Sequence, residues 1–155
     1  MATLRTRAIT DAMISHAKRL GIFEDVLRYE PKSAPPNGMY ACVFFDNLRT
    51  VGGQSGLNKT SAVVTYTVRI YTNMIQQPED DIEILLLDAV DTLLEAYNAD
   101  FDLGETGTVE SIDILGKHGQ ALEVDAGYIE IDKKHFRVAV ITVPIVVNDA
   151  WTQSA

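Results

Sequence analysis

The sequence predicts an α+β domain whose helices pack on an antiparallel or mixed sheet, in the order helix, three strands, helix, three strands. Three observations carry this reading. Apolar residues recur at three- and four-residue spacing over Thr3–Leu20 and again over Ile82–Tyr97, the mark of two amphipathic helices. Runs of strict period two, or of unbroken apolar residues, fill much of the remaining chain and read as strands. Clusters of Pro, Gly, Asn and Asp punctuate those runs. A helix with one apolar stripe cannot bury itself, and a sheet supplies the face that covers it.

The first helix carries Leu4, Ala8, Ala12 and the group Met13, His16, Ala17 and Leu20 on one side, with Gly21 as its stop. Its alanines suit close packing on a flat sheet. His16 lies inside the stripe and reads as a packed, hydrogen-bonded side chain rather than a ligand or base. Glu24–Glu30 then alternates, with Leu27 and Tyr29 opposite Arg28 and Glu30, until Pro31, Pro35, Pro36 and Asn37-Gly38 turn the chain. Tyr40–Phe45 is apolar throughout, as in a central strand covered on both faces, and Cys42 within it reads as a small buried hydrophobe.

The Gly-rich stretch Gly52–Thr60 resembles a phosphate cradle, but Asn58 stands where the P-loop pattern requires glycine. The next segment decides the matter. Ala62, Val64, Tyr66, Val68 and Ile70 alternate with Thr65, Thr67 and Arg69, so a half-buried strand succeeds the loop. A nucleotide site needs a helix N-terminus there. The loop is read instead as a flexible connection between strands.

Pro78-Glu79-Asp80-Asp81 opens the second helix, with proline and three carboxylates suited to its first turn. Ile82, Leu85, Leu86, Ala89, Val90, Leu93, Leu94 and Tyr97 form its apolar stripe, while Asp88, Asp91 and Glu95 leave an acidic outer face. Asn98–Gly104 resembles a calcium loop, but its glycine comes one residue late and Val109 occupies the place of the closing glutamate. It is read as a turn. Extended runs at about Val109–Leu115, Leu122–Ile131 and His135–Val147 finish the chain, the last two joined by a tight hairpin at Asp132-Lys133-Lys134. Pro144 inside the last run marks an edge position or a bulge.

At 155 residues the chain is read as one domain, 1–155, with a short C-terminal tail from about residue 148. No apolar run approaches a membrane span. Met1–Arg7 lacks the apolar core of a secretory signal, so assembly in a cytoplasm is expected. The net charge of −9 disfavours tight binding to a phosphate backbone. The best basic cluster, Lys133-Lys134-His135 with Arg137, reads as a solvated turn.

The segment Ser55-Gly56-Leu57-Asn58-Lys59-Thr60-Ser61, its strand, and Val68-Arg69-Ile70-Tyr71-Thr72-Asn73-Met74 resemble the tail terminator proteins of long-tailed bacterial viruses, of the lambda type. Glu30-Pro31-Lys32-Ser33-Ala34-Pro35 and Val143–Trp151 fit the same pattern, so the resemblance spans nearly the whole chain. It implies a virion protein forming a six-membered ring at the head-proximal end of the tail tube. Such a ring halts tube polymerisation and offers the joining surface for the head. The implied partners are further copies of the chain, the major tail tube protein and a head-completion or stopper protein. Genomic DNA passes through the lumen without sequence-specific binding, and a negative wall suits that passage. The alternatives are another neck ring, either a stopper or a tail completion protein, and a small ligand-binding domain.

Catalytic patterns fail on inspection. Gly53-Gln54-Ser55-Gly56-Leu57 misses the nucleophile elbow at its last position and precedes a strand. His16, His118 and His135 lack metal-ligand spacing. No enzyme activity, cofactor or metal is expected. The residues expected at subunit or partner contacts are the loop Gly53, Gln54, Ser55, Gly56, Leu57, Asn58 and Lys59, the single tryptophan Trp151, and the edge near Pro144.

Overall fold

A computed structural model of the chain describes residues 6–33, 38–51, 59–73, 79–100 and 110–153. Its elements are α1 (Thr6–Arg19), β1 (Asp25–Leu27), β2 (Met39–Val51), β3 (Lys59–Asn73), α2 (Glu79–Ala99), β4 (Glu110–Ile112), β5 (Glu123–Ile131) and β6 (Lys134–Thr152). One six-stranded sheet holds all the strands in the order β1-β2-β3-β6-β4, with β5 also on β6.

The expected α+β sandwich is corrected here: the fold is mostly β. Half of the described residues (50%) are strand against 28% helix, and the sheet curls into a half-barrel. Strand length is the reason. β2, β3 and β6 run for 13, 15 and 19 residues, through polar segments such as Asp46–Thr50 that carry no apolar pattern. Long strands accumulate right-handed twist, so the sheet coils where a layered sandwich needs it flat.

Alternation assigns the two faces. Ala62, Val64, Tyr66, Val68 and Ile70 of β3 lie on the helix-bearing face, with Ala41 and Val43 of β2 and Ala139, Ile141, Val143 and Ile145 of β6. Against them pack Ile9, Met13, Ile14 and Ala17 of α1 and Leu86, Ala89, Val90, Leu93 and Tyr97 of α2. Burying each of the larger side chains stabilises the fold by about 2 kcal/mol. Leu85, placed on the stripe by the sequence, is 37% exposed instead.

The helix-free face is also largely buried. Thr65 and Thr67 are only 2% and 8% exposed, because the curl closes neighbouring strands over them. Cys42, Tyr71, Phe136 and Val138 form a second apolar cluster on this face. A third, smaller one joins Val51, Val63 and Val146 near the other end of the strands. Across that end, Arg49 of β2 lays its guanidinium against Gly119 of the turn after β4.

α1 and α2 are tied by a polar contact. His16 Nε2 lies 2.8 Å from Asp100 Oδ2, and its ring meets Tyr97 edge-on at 5.9 Å. The β5–β6 hairpin turns through Asp132 and Lys133, both at positive φ (54° and 67°), as a two-residue turn matched to strand twist requires.

Two further expectations are revised. The segment from residue 148 continues β6 to Thr152 rather than forming a loose tail. A register shift opposite Ser61 accommodates the extra residues: Asp149 turns to φ 52° and donates its N–H to Ser61 Oγ at 2.9 Å. Pro144 is not on an edge. It pairs with Thr65 on one side, and on the other its carbonyl accepts the Asp113 N–H at 2.9 Å. Its position is the seam where β5, ending opposite Thr142, gives way to β4, beginning opposite Ile145. The N–H that proline lacks would point into this gap, so no ladder bond is lost.

Candidate interaction surfaces

Of the residues expected to make contacts, the structure brings Lys59 and Trp151 together and leaves Pro144 apart from them. Gly53, Gln54, Ser55, Gly56, Leu57 and Asn58 lie outside the described residues. Lys59 opens β3 and pairs with Thr152, while Trp151 pairs with Thr60 and is 37% exposed. Gln153 closes this corner: its Nε2 donates to Thr60 Oγ1 at 2.9 Å and to the Lys59 carbonyl at 3.3 Å. Lys59 and Trp151 therefore sit together at one end of the sheet. Pro144 is buried within β6 and cannot join them at a surface.

Two other surfaces stand out. β1 pairs only with Tyr40, Ala41 and Cys42 of β2. From Val43 to Thr50, β2 has no strand on its outer side among the described residues. There Phe45 and Leu48 stand 57% and 41% exposed on the helix-bearing face. At the opposite side of the sheet, β5 pairs with β6 alone, so its whole outer edge is open among the described residues. Tyr128 is 65% exposed there, stacked on the Arg137 guanidinium at 4.5 Å. Arg137 Nε in turn donates to Glu83 of α2 at 2.6 Å, which brings the exposed Leu87 of α2 to the same flank.

Sequence reasoning missed these residues for identifiable reasons. Phe45 ends an apolar run that read as covered on both faces, yet the register shift at Asp46 and the lack of an outer strand among the described residues leave it in water. Ile84 and Leu87 fall off the helical stripe, and apolar residues outside a stripe were the available signal.

The densest polar cluster lies beneath the helix-free face. Arg69 Nη1 donates to Glu30 Oε1 at 2.8 Å and to the Tyr71 hydroxyl at 3.0 Å, with its guanidinium 5.4 Å from the Phe44 ring centre. Cys42 Sγ is 3.9 Å from the same hydroxyl. Burial pushes the Cys42 thiol above its ordinary pKa, and burial likewise raises Tyr71, in each case outweighing the stabilising pull of Arg69. A raised thiol is a poor nucleophile. The geometry therefore describes a braced end of the sheet, where a cation–π stack and one ion pair hold the segment after β1.

An open cleft of about 500 Å³ lies between the end of α2 and the turn after β4, lined by Asn98, Asp113, Lys117 and His118 among others. The Asp113 carboxylate already accepts the backbone N–H groups of Lys117 and His118, both at 2.9 Å. It closes its own turn.

No protein-family model matches the chain, and no curated protein matches it.

Proposed function

We propose that this chain is a structural, ring-forming subunit at the head-proximal end of a long viral tail tube. There it caps the last tube ring, stops polymerisation and presents the surface that joins the head. The observation that carries the reading is the sheet itself: among the described residues, a single sheet with open edges on opposite sides, each bearing exposed apolar side chains. Such a subunit offers two different patches, the requirement for a heterologous contact that closes into a ring. The resemblance of Ser55–Ser61, Val68–Met74 and Val143–Trp151 to tail terminators supplies the biological setting.

On this reading the chain works by binding and geometric blocking, with no bond made or broken. Its partners are further copies of itself, the tail tube protein and a head-side neck protein. Its excess of acid, −9 in net charge, lets DNA pass a lumen without adhering.

The test is electron microscopy of particles from a virus in which the gene is disrupted. Overlong, headless tubes of irregular length are expected. Tails of uniform, normal length that fail to join filled heads would move the protein to a head-side connector and refute termination.

A further inference from the structure

We infer that copies of this chain join by strand addition, the open stretch of β2 in one copy pairing antiparallel with β5 of the next. The inference rests on the ring reading for its setting and on the sheet's own geometry for its content.

Length and direction agree. The open part of β2, residues 43–50, and the whole of β5, Glu123–Ile131, are eight and nine residues long. β2, β3, β6 and β5 alternate in direction, so β2 and β5 are antiparallel within one copy. Rotation to a neighbour keeps that relation, and the junction continues the ladder pattern of the sheet. β5 contains no Lys or Pro and its register is unbroken, and the charges on its edge, Glu123, Asp125 and Glu130, are all acidic, so they favour a basic partner.

Stagger agrees as well. Asn47, the middle of the open β2 stretch, shares a row with Thr65 and so with Pro144, while Gly127, the middle of β5, pairs with Val138. Those rows lie six residues apart along β6, a climb of about 20 Å for each subunit. Across four strands, roughly 19 Å of sheet, the climb tilts the strands by about 45°. Closed barrels need a stagger of this kind, with tilts of about 35–45°. The register shift at Asp46 is a bulge, a device that bends a strand and raises its twist.

Chemistry completes the match. Aligning the two midpoints sets Leu48 beside Ala126 on the helix-bearing face, with Phe45 near Tyr128. On the other face it sets the backbone position of Arg49 opposite Asp125, and the Arg49 guanidinium, which lies against Gly119 in the single subunit, turns to the neighbour's carboxylate. α2 and β5 together carry ten carboxylates and no basic residue. α1 and β2, the matching helix and edge strand, carry Arg7, Lys18, Arg19 and Arg49 against two acids, Asp11 and Asp46. An acidic flank thus meets a basic one, which selects a second copy as the occupant of the edge.

Cysteine cross-linking tests the pairing, because the single native thiol, Cys42, is buried. Leu48→Cys and Ala126→Cys both fall on surface strands, and a short bismaleimide is the probe. The double variant is expected to give a ladder of covalent multimers. A mixture of the two single variants should stop at dimers, and each single variant alone should remain uncross-linked. Covalent dimers from either single variant would overturn the inference in favour of a two-fold contact. Sedimentation of the unmodified chain separates the levels. Rings that assemble without cross-links, or a chain monomeric throughout and never cross-linked, refute this edge pairing, while microscopy of the disrupted virus judges the terminator reading independently. As a check that avoids new thiols, Tyr128→Ser is expected to weaken self-association about tenfold, and unchanged association would count against the interface.

Discussion

The Tyr97 hydroxyl is fully buried and has no hydrogen-bond partner among the described residues. An unsatisfied buried donor costs about 1–3 kcal/mol, so Tyr97→Phe is expected to raise the unfolding free energy by about 1 kcal/mol in a denaturant titration. Loss of stability would show that the hydroxyl has a partner. Burial also holds the phenols of Tyr71 and Tyr97 neutral well above their ordinary range. In the unfolded chain each ionises near pH 10. Their contribution is therefore complete below about pH 10 and is lost as pH rises further, since only the unfolded state then gives up the proton. Tyr97→Phe should flatten that alkaline decline. Cys42 gives a second reading at this scale: iodoacetamide at pH 8 should modify it only as fast as the protein opens, so the alkylation rate should rise with denaturant.

Among the elements, the β5–β6 hairpin offers the cleanest test. Asp132 and Lys133 both occupy the left-handed region, which costs roughly 1 kcal/mol for a residue with a side chain such as lysine. Replacing the pair by Asn-Gly is expected to stabilise the protein by about 1 kcal/mol, measured as a shifted denaturation midpoint. This turn was legible in the sequence because its signal is local. Pro144 was not, because its tolerance depends on a seam between two strands far apart in the chain. The α2 stripe was legible in its buried members Ile82, Leu86, Ala89, Val90, Leu93 and Tyr97. Its boundary was not: Leu85 is as apolar as Leu86, and only the placement of the helix over β3 and β6 decides which one the sheet covers.

For the whole molecule, the prediction concerns the junction between copies. Asp125→Arg is expected to weaken self-association at least tenfold by setting two cations opposite each other, and Arg49→Asp to do likewise by setting two carboxylates together. The double exchange restores the opposite-charge pair and should recover most of the loss, as read by sedimentation. Failure of the rescue would place the contact elsewhere. Asp125 is exposed, so the melting temperature of the isolated Asp125→Arg subunit should change little.

Local sequence was enough to specify the two helices, the hairpin, the burial of Cys42 and the strand after the Gly-rich loop, because each depends on periodicity or turn chemistry within some twenty residues. Only the packed chain reveals that the sheet curls, that Thr65 and Thr67 are buried, that β6 runs to Thr152, and that Phe45, Leu48 and Tyr128 face water on opposite edges. Twist accumulates over the length of strands, and an edge exists only where no other strand arrives. Both are relations between segments distant in the chain, to which a local pattern is blind.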